Sequence, residues 1–63
     1  MEWKDWIGKR IFVKLKTGSV YSGNVIDVDD KAVPIIFITI IDKFGNKVTF
    51  VQSEIIKIQE ERL

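Results

Sequence analysis

Residues 13–23 read VKLKTGSVYSG. Gly18 falls in a turn, and Gly23 falls five positions later, inside what otherwise reads as a strand. A glycine in a strand interior loses the most backbone entropy on folding and packs nothing in return. It is expected where a strand bends sharply, because a side chain at the corner would clash. Before the turn, IFVKLK (11–16) alternates Ile11, Val13 and Leu15 with Phe12, Lys14 and Lys16, the period-two pattern of a half-buried strand. Thr17-Gly18 supplies the tight turn. After it, SVYSGNVIDVD (19–29) is the second strand, with Tyr21, Val25 and Val28 inward. Their spacing of four then three departs from period two, and a bulge near Ile26-Asp27 restores it.

Working outward, residues 29–34 read as a loop, with Pro34 at most at the start of a strand. IIFITIID (35–42) is nearly all apolar, so both of its faces are expected to be covered. KFGNK (43–47) is a hairpin turn in which Gly45-Asn46 supplies positive φ. VTFV (48–51) is the fourth strand, Gln52-Ser53 a very short connection, and EIIKIQE (54–60) the fifth strand. At the start, Trp3, Trp6 and Ile7 fall at i, i+3, i+4, with Glu2, Lys4 and Asp5 on the other side. That spacing predicts a short amphipathic helix over 2–8, stopped by Gly8 and docked on the strands, since it would be unstable alone. Ile, Val and Thr total 21 of 63 residues while Ala and Leu total three, a balance that suits pleated strands and crowds helices. The expected fold is all-β: one domain over 1–63, a small, strongly bent, five-stranded antiparallel barrel over 11–60 with a short N-terminal helix.

A chain of 63 residues buries only about 60% of its unfolded surface, and such folds usually need a staple. With no cysteine and no histidine, disulfides and ordinary zinc sites are excluded, leaving self-association. Ser19, Ser22 and Ser53 have no evident base, and no carboxylate pair has the setting of a general acid. The chain is expected not to be an enzyme and to carry no cofactor and no metal. Asp27, Asp29 and Asp30 are hard-cation ligands by type, but they read more simply as solvated turn residues. No apolar run approaches the ~20 residues of a membrane helix, and MEWKDW lacks the apolar stretch of a signal peptide. The expectation is a soluble, complete, cytoplasmic protein without a membrane partner.

The net charge of +1 and pI near 8.0 give no strong nucleic-acid signal. Its distribution is less even. Residues 1–16 carry five cations against two carboxylates, and 27–30 carry three carboxylates. Lys4, Lys9 and Arg10 are candidate phosphate contacts, or a solvated face. Phe12 and Phe44 are candidate platforms for stacking bases, though Phe12 reads more simply as packing on the N-terminal helix or a neighbour, while Phe44 at a turn tip stays open. Gln52 and Ser53 could hydrogen-bond a base edge or cap their own turn.

The runs IGKRIFVKLKTG and VYSGNVIDVD resemble the first signature of the Sm/LSm family, which includes archaeal Sm-like proteins and bacterial Hfq. The matching positions are the turn glycine Gly18, the aromatic Tyr21, the strand glycine Gly23 and the acidic Asp29, while FVQSEIIKI is similar in layout to the second signature. The resemblance covers roughly residues 3–59. It implies a helix followed by a bent five-stranded barrel, and a homo-oligomeric ring made by pairing the fourth strand of one subunit with the fifth of the next. That pairing would place Val48, Phe50, Val51, Ile55, Ile56 and Ile58 at the subunit interface. It also implies single-stranded RNA as partner, with Lys4, Lys9, Arg10, Lys31, Gln52 and Ser53 as candidate contacts. The family's base pocket combines a loop asparagine with an arginine-glycine pair. Here Val33, or Ala32 if the loop shifts by one, stands at the first place and Gln52-Ser53 at the second. The expected function is therefore an Sm-like ring-forming protein that binds single-stranded RNA. The alternative is an oligomeric interaction or structural module without nucleic acid. A monomeric barrel of the Tudor or chromatin-protein kind is a third reading, disfavoured by the missing aromatic cage and the modest basicity.

Overall fold

The computed structural model describes residues 3–61. Its strands are β1 (Arg10–Leu15), β2 (Val20–Ala32), β3 (Ile35–Asp42), β4 (Lys47–Val51) and β5 (Ile55–Glu60). They form one antiparallel sheet in the order β4-β3-β2-β1-β5. β4 and β5 end that order, so the sheet is open along both; the five antiparallel strands are those expected, but no ladder closes them into the expected barrel.

The first hairpin follows its sequence pattern. Ile11 and Val13 are fully buried, Lys14 is exposed, and Arg10 and Phe12 are half-buried. Gly18 turns the chain at φ +91°, and the Leu15 and Ser19 backbones bond across the turn at 2.9 Å. β2 is central and pairs on both sides, with Gly23 opposite Ile11 of β1 and Asp42 of β3. A Cβ on Gly23 would run into the Ile41 carbonyl oxygen, with the carbonyl carbon at 2.9 Å and Asp42 Cα at 3.0 Å. The β3 backbone occupies the space a side chain would need. The β2–β3 register slips between Val25 and Asp27, as the spacing required, and Ile26 is left exposed while Val25 and Val28 both reach the core.

The core is Ile11, Val13, Val25, Val28, Ile38, Ile40 and Phe50, and the Tyr21 ring packs on Phe50 with centroids 5.0 Å apart. Trp3 and Trp6 lie half-buried against it. Four expectations need correction. The predicted helix over 2–8 is a single 3-10 turn, Trp3–Trp6, ended by Gly8 at φ +86°; Glu2 lies outside the described residues. So short a segment gains too few hydrogen bonds to form an α-helix, and backbone bonds fix it instead. Gly8 N–H donates to the Val25 carbonyl at 2.9 Å, and Val25 N–H to the Lys9 carbonyl at 2.9 Å. The predicted loop over 29–34 is mostly strand. β2 runs on to Ala32, which pairs with Ile35, and only Val33-Pro34, joined by a cis peptide, make the turn. Its charged residues suit a solvated arm: a second register slip absorbs them, and the Asp29 carboxylate accepts the Lys31 N–H at 3.0 Å.

β3 has one covered face. Ile38 and Ile40 are buried, Phe37, Thr39 and Ile41 are half-buried, and Ile35 is exposed. In the β3–β4 turn only Gly45 has positive φ, at +83°, and Asn46 does not. Asp42 organises this turn by accepting the N–H groups of Phe44 and Asn46, each at 2.9 Å.

Gly23 and Gly45 therefore differ in kind. Gly23→Val places a branched side chain against backbone that cannot rotate away, and is expected to destabilise the sheet by more than about 3 kcal/mol. Gly45→Ala strains only an open turn and should cost about 1–2 kcal/mol. Urea denaturation of the two variants measures the difference. A Gly23→Val protein as stable as the wild type would remove the close approach of β3.

Candidate nucleic-acid interface

The side chains of β1 alternate, so Arg10, Phe12 and Lys14 share the face opposite the core. β5 pairs alongside with Gln59 opposite Phe12 and Lys57 opposite Lys14. Two exposed lysines thus stand directly across from each other, a placement that is unfavourable unless an anion screens them. Sequence reading missed this pair, because only the register between the first and last strands brings Lys14 and Lys57 together.

The predicted cations are all placed, and three of them are ion-paired. Lys4 Nζ lies 3.5 Å from Asp30, Lys9 Nζ 3.9 Å from Glu60, and Arg10 Nε 2.8 Å from Glu61. These pairs are solvent-exposed or nearly so, where water and salt screen them, and they contribute little to stability. An incoming phosphate can therefore compete with them. Lys9 also sits 5.8 Å from the Trp6 ring centroid. Lys31 is exposed on the extended β2 arm, while Gln52 and Ser53 lie in a 3-10 turn, Gln52–Glu54, that joins β4 to β5. Val33 is 76% exposed at the tip of the β2–β3 hairpin. Asp27, Asp29 and Asp30 are on β2, and no group of metal-ligating side chains occurs among the described residues.

The predicted interface residues divide by burial. Val48 and Val51 of β4 and Ile55 and Ile58 of β5 are half-buried. Phe50 is in the core of its own chain, and Ile56, displaced by a register slip, is 60% exposed.

One groove lies beside this face, with a volume of ≈ 500 Å³. Phe12 and Phe44, 32 positions apart in the chain, both line it, together with Arg10, Ser22, Lys43 and Glu61. Arg10 Nε and Ser22 Oγ donate to the same Glu61 oxygen, Oε1, at 2.8 and 2.9 Å. These two bonds, the Arg10 one first, hold the Glu61 carboxyl below its ordinary range. Asp42, also at the groove, is lowered chiefly by the Asn46 N–H, against an opposing desolvation effect. Phe44 is 77% exposed at the tip of the β3–β4 turn, with Lys43 Nζ 5.3 Å from its ring centroid.

No family model, curated protein or solved structure matches this chain. Among the described residues, no helix is long and apolar enough to cross a membrane.

Both depressed carboxylates stabilise the fold in their ionised form. That contribution is complete above the ordinary values of 3.8 for Asp42 and 4.5 for Glu61, and it is lost as pH falls through the lower folded values. Urea midpoints measured from pH 7 down to pH ~2.5 should therefore fall on the acid side. The fall should be shallower in the double variant Asp42→Asn, Glu61→Gln. Equal acid sensitivity of the two proteins would assign it to other carboxylates.

Proposed function

We propose that this chain is an Sm-like protein that assembles into a homo-oligomeric ring and binds single-stranded RNA. The observation that carries the assembly is the strand order, which leaves β4 and β5 as the two open edges of one sheet. Unpaired strand edges invite further pairing. Joining β4 of one copy to β5 of the next satisfies both edges at once. Such a contact is heterologous, and it closes into a ring when the rotation between copies allows. Ile56, Ile55 and Ile58 on β5 and Val48 and Val51 on β4 supply apolar contacts beside the paired backbones.

Support for RNA comes from the Sm/LSm resemblance and from the facing Lys14 and Lys57 beside Phe12. A second reading, the same ring as an interaction module without nucleic acid, is favoured by the ion pairs of Lys4, Lys9 and Arg10. It is favoured too by Val33 and Gln52-Ser53, which stand where the resemblance implies a base pocket. The ratio of 260 to 280 nm absorbance in protein purified without nuclease separates the two readings.

Two outcomes are expected. Light scattering should give a mass that is a multiple of the 7.3 kDa chain, and Ile56→Lys should lower it without unfolding the protein, since an edge lysine resists pairing. A wild-type monomer at micromolar concentration would overturn the ring. Joint neutralisation of Lys4, Lys9 and Arg10 should flatten the salt dependence of RNA affinity, by about 0.7 in log–log slope for each phosphate these cations neutralise in the wild type. An unchanged slope would exclude these residues from the RNA path.

A further inference from the structure

We infer that the groove between Phe12 and Phe44 is a subsite for one unstacked base of a single-stranded nucleic acid. The inference rests on the proposed RNA binding and adds a place and a mode of contact. Phe12 projects from β1 and Phe44 from the β3–β4 turn, so the walls come from two separate hairpins. Aromatic side chains that line a groove hold bases by stacking, whatever the sequence, because every base has a π-face. The volume of ≈ 500 Å³ is within the range of small-molecule sites, roughly 300–1,000 Å³.

The polar groups fit a base better than a free anion. Arg10 and Lys43 are matched in the lining by Asp42 and Glu61, so the groove has no net charge. A phosphate or a carboxylate would gain little there, whereas a neutral heterocycle with donors and acceptors on its rim would gain hydrogen bonds. Ser22 and Arg10 both bond Glu61 through Oε1. The second oxygen of that carboxylate is an acceptor for an exocyclic amine, and the guanidinium has five donors of which this bond uses one. The anion-attracting charge lies just outside, on the same face of β1. Lys14 is two residues beyond Phe12, about 7 Å along the strand, and Lys57 lies opposite it. A strand of nucleic acid with one base in the groove carries its phosphates past these two lysines, which removes their mutual repulsion. Lys43 over the Phe44 ring is an exposed cation–π contact, weak enough to yield to a base.

The test uses the full chain and two probes. Amide chemical shifts are followed on titration with adenosine and uridine monophosphates, and with ribose 5-phosphate as the control without a base. Residues 12, 22 and 44 should respond to the nucleotides and not to the sugar phosphate. Oligoadenine and oligouridine affinities are then measured by anisotropy at fixed salt for wild type, Phe44→Ala and Phe44→Leu. Because Phe44 is exposed at a turn tip, both variants should fold, and both should bind roughly tenfold or more weakly. If the variants bind RNA as well as wild type while neutralising Lys4 and Lys9 weakens it, the groove subsite is wrong and the RNA reading stands. If the nucleotides shift residues 12, 22 and 44 but no oligonucleotide binds, the groove takes a base only as a free nucleotide, and the strand subsite fails together with the RNA reading. Equal responses to nucleotides and ribose 5-phosphate, or no response to either, would overturn the subsite.

Discussion

β3 crosses β2 so closely at Gly23 that a methyl group there would collide with the Ile41 carbonyl oxygen. Much of the remaining architecture depends on this contact. It fixes Gly23 opposite both Ile11 and Asp42, and so sets the register of three adjacent strands. With that register set, the slip at Ile26 is what keeps Val25 and Val28 both on the core side, against Ile40 and Ile38. The same register brings Asp42 to the end of β3, where its carboxylate gathers the N–H groups of the following turn. Phe44 is presented at the tip of that turn, beside the outer face of β1. A backbone contact in the middle of the sheet thus decides where an exposed aromatic ring stands at its margin.

The parts of this arrangement that were legible in the sequence are those with local physical signatures. The alternation of Ile11, Val13 and Leu15, the turn at Gly18 and the irregular spacing of Tyr21, Val25 and Val28 each predicted what the structure contains. Gly23 announced a constraint, though not that its source was the backbone of β3. The errors lie where local and tertiary preferences diverge. Asp29, Asp30 and Lys31 are poor strand formers by composition, yet β2 carries them to Ala32, well beyond the core, where no burial is required. Asn46 can adopt positive φ, but the Asp42 carboxylate makes this unnecessary. Among candidate site residues, Phe12 and Phe44 were identifiable singly as stacking platforms. That they border one groove depends on how two hairpins lie together, which no spacing within either hairpin encodes.

Charge behaves similarly. The cations of the first sixteen residues suggest a basic face when read along the chain, but the fold distributes carboxylates among them. Glu60 and Glu61, from the far end, meet Lys9 and Arg10, and Asp30 from the β2 arm meets Lys4. What the sequence order hides is the opposite case at Lys14 and Lys57. These are 43 positions apart, and the β1–β5 ladder sets them face to face. The carboxylates thus offset much of the charge that the N-terminal composition implies, while Lys14 and Lys57 face each other on β1 and β5.

The two unfinished features of the molecule adjoin each other. β5 is an open edge, and the Phe12 face with its lysine pair lies immediately beside it. A sheet this small, with seven buried hydrophobic residues among those described, has little core to spare for holding two bare edges in water. Pairing β5 with β4 of another copy would extend the sheet past Lys57 and continue the outer surface onto a neighbour without covering Phe12 itself. Each copy would then repeat the groove at a fixed interval along the assembly. Single contacts too weak to hold a ligand on one chain would act together on a strand long enough to reach several of them, because the second and later contacts form at high effective concentration. Edge pairing would thus satisfy the backbone groups of two open strands and, in the same step, repeat the proposed stacking groove.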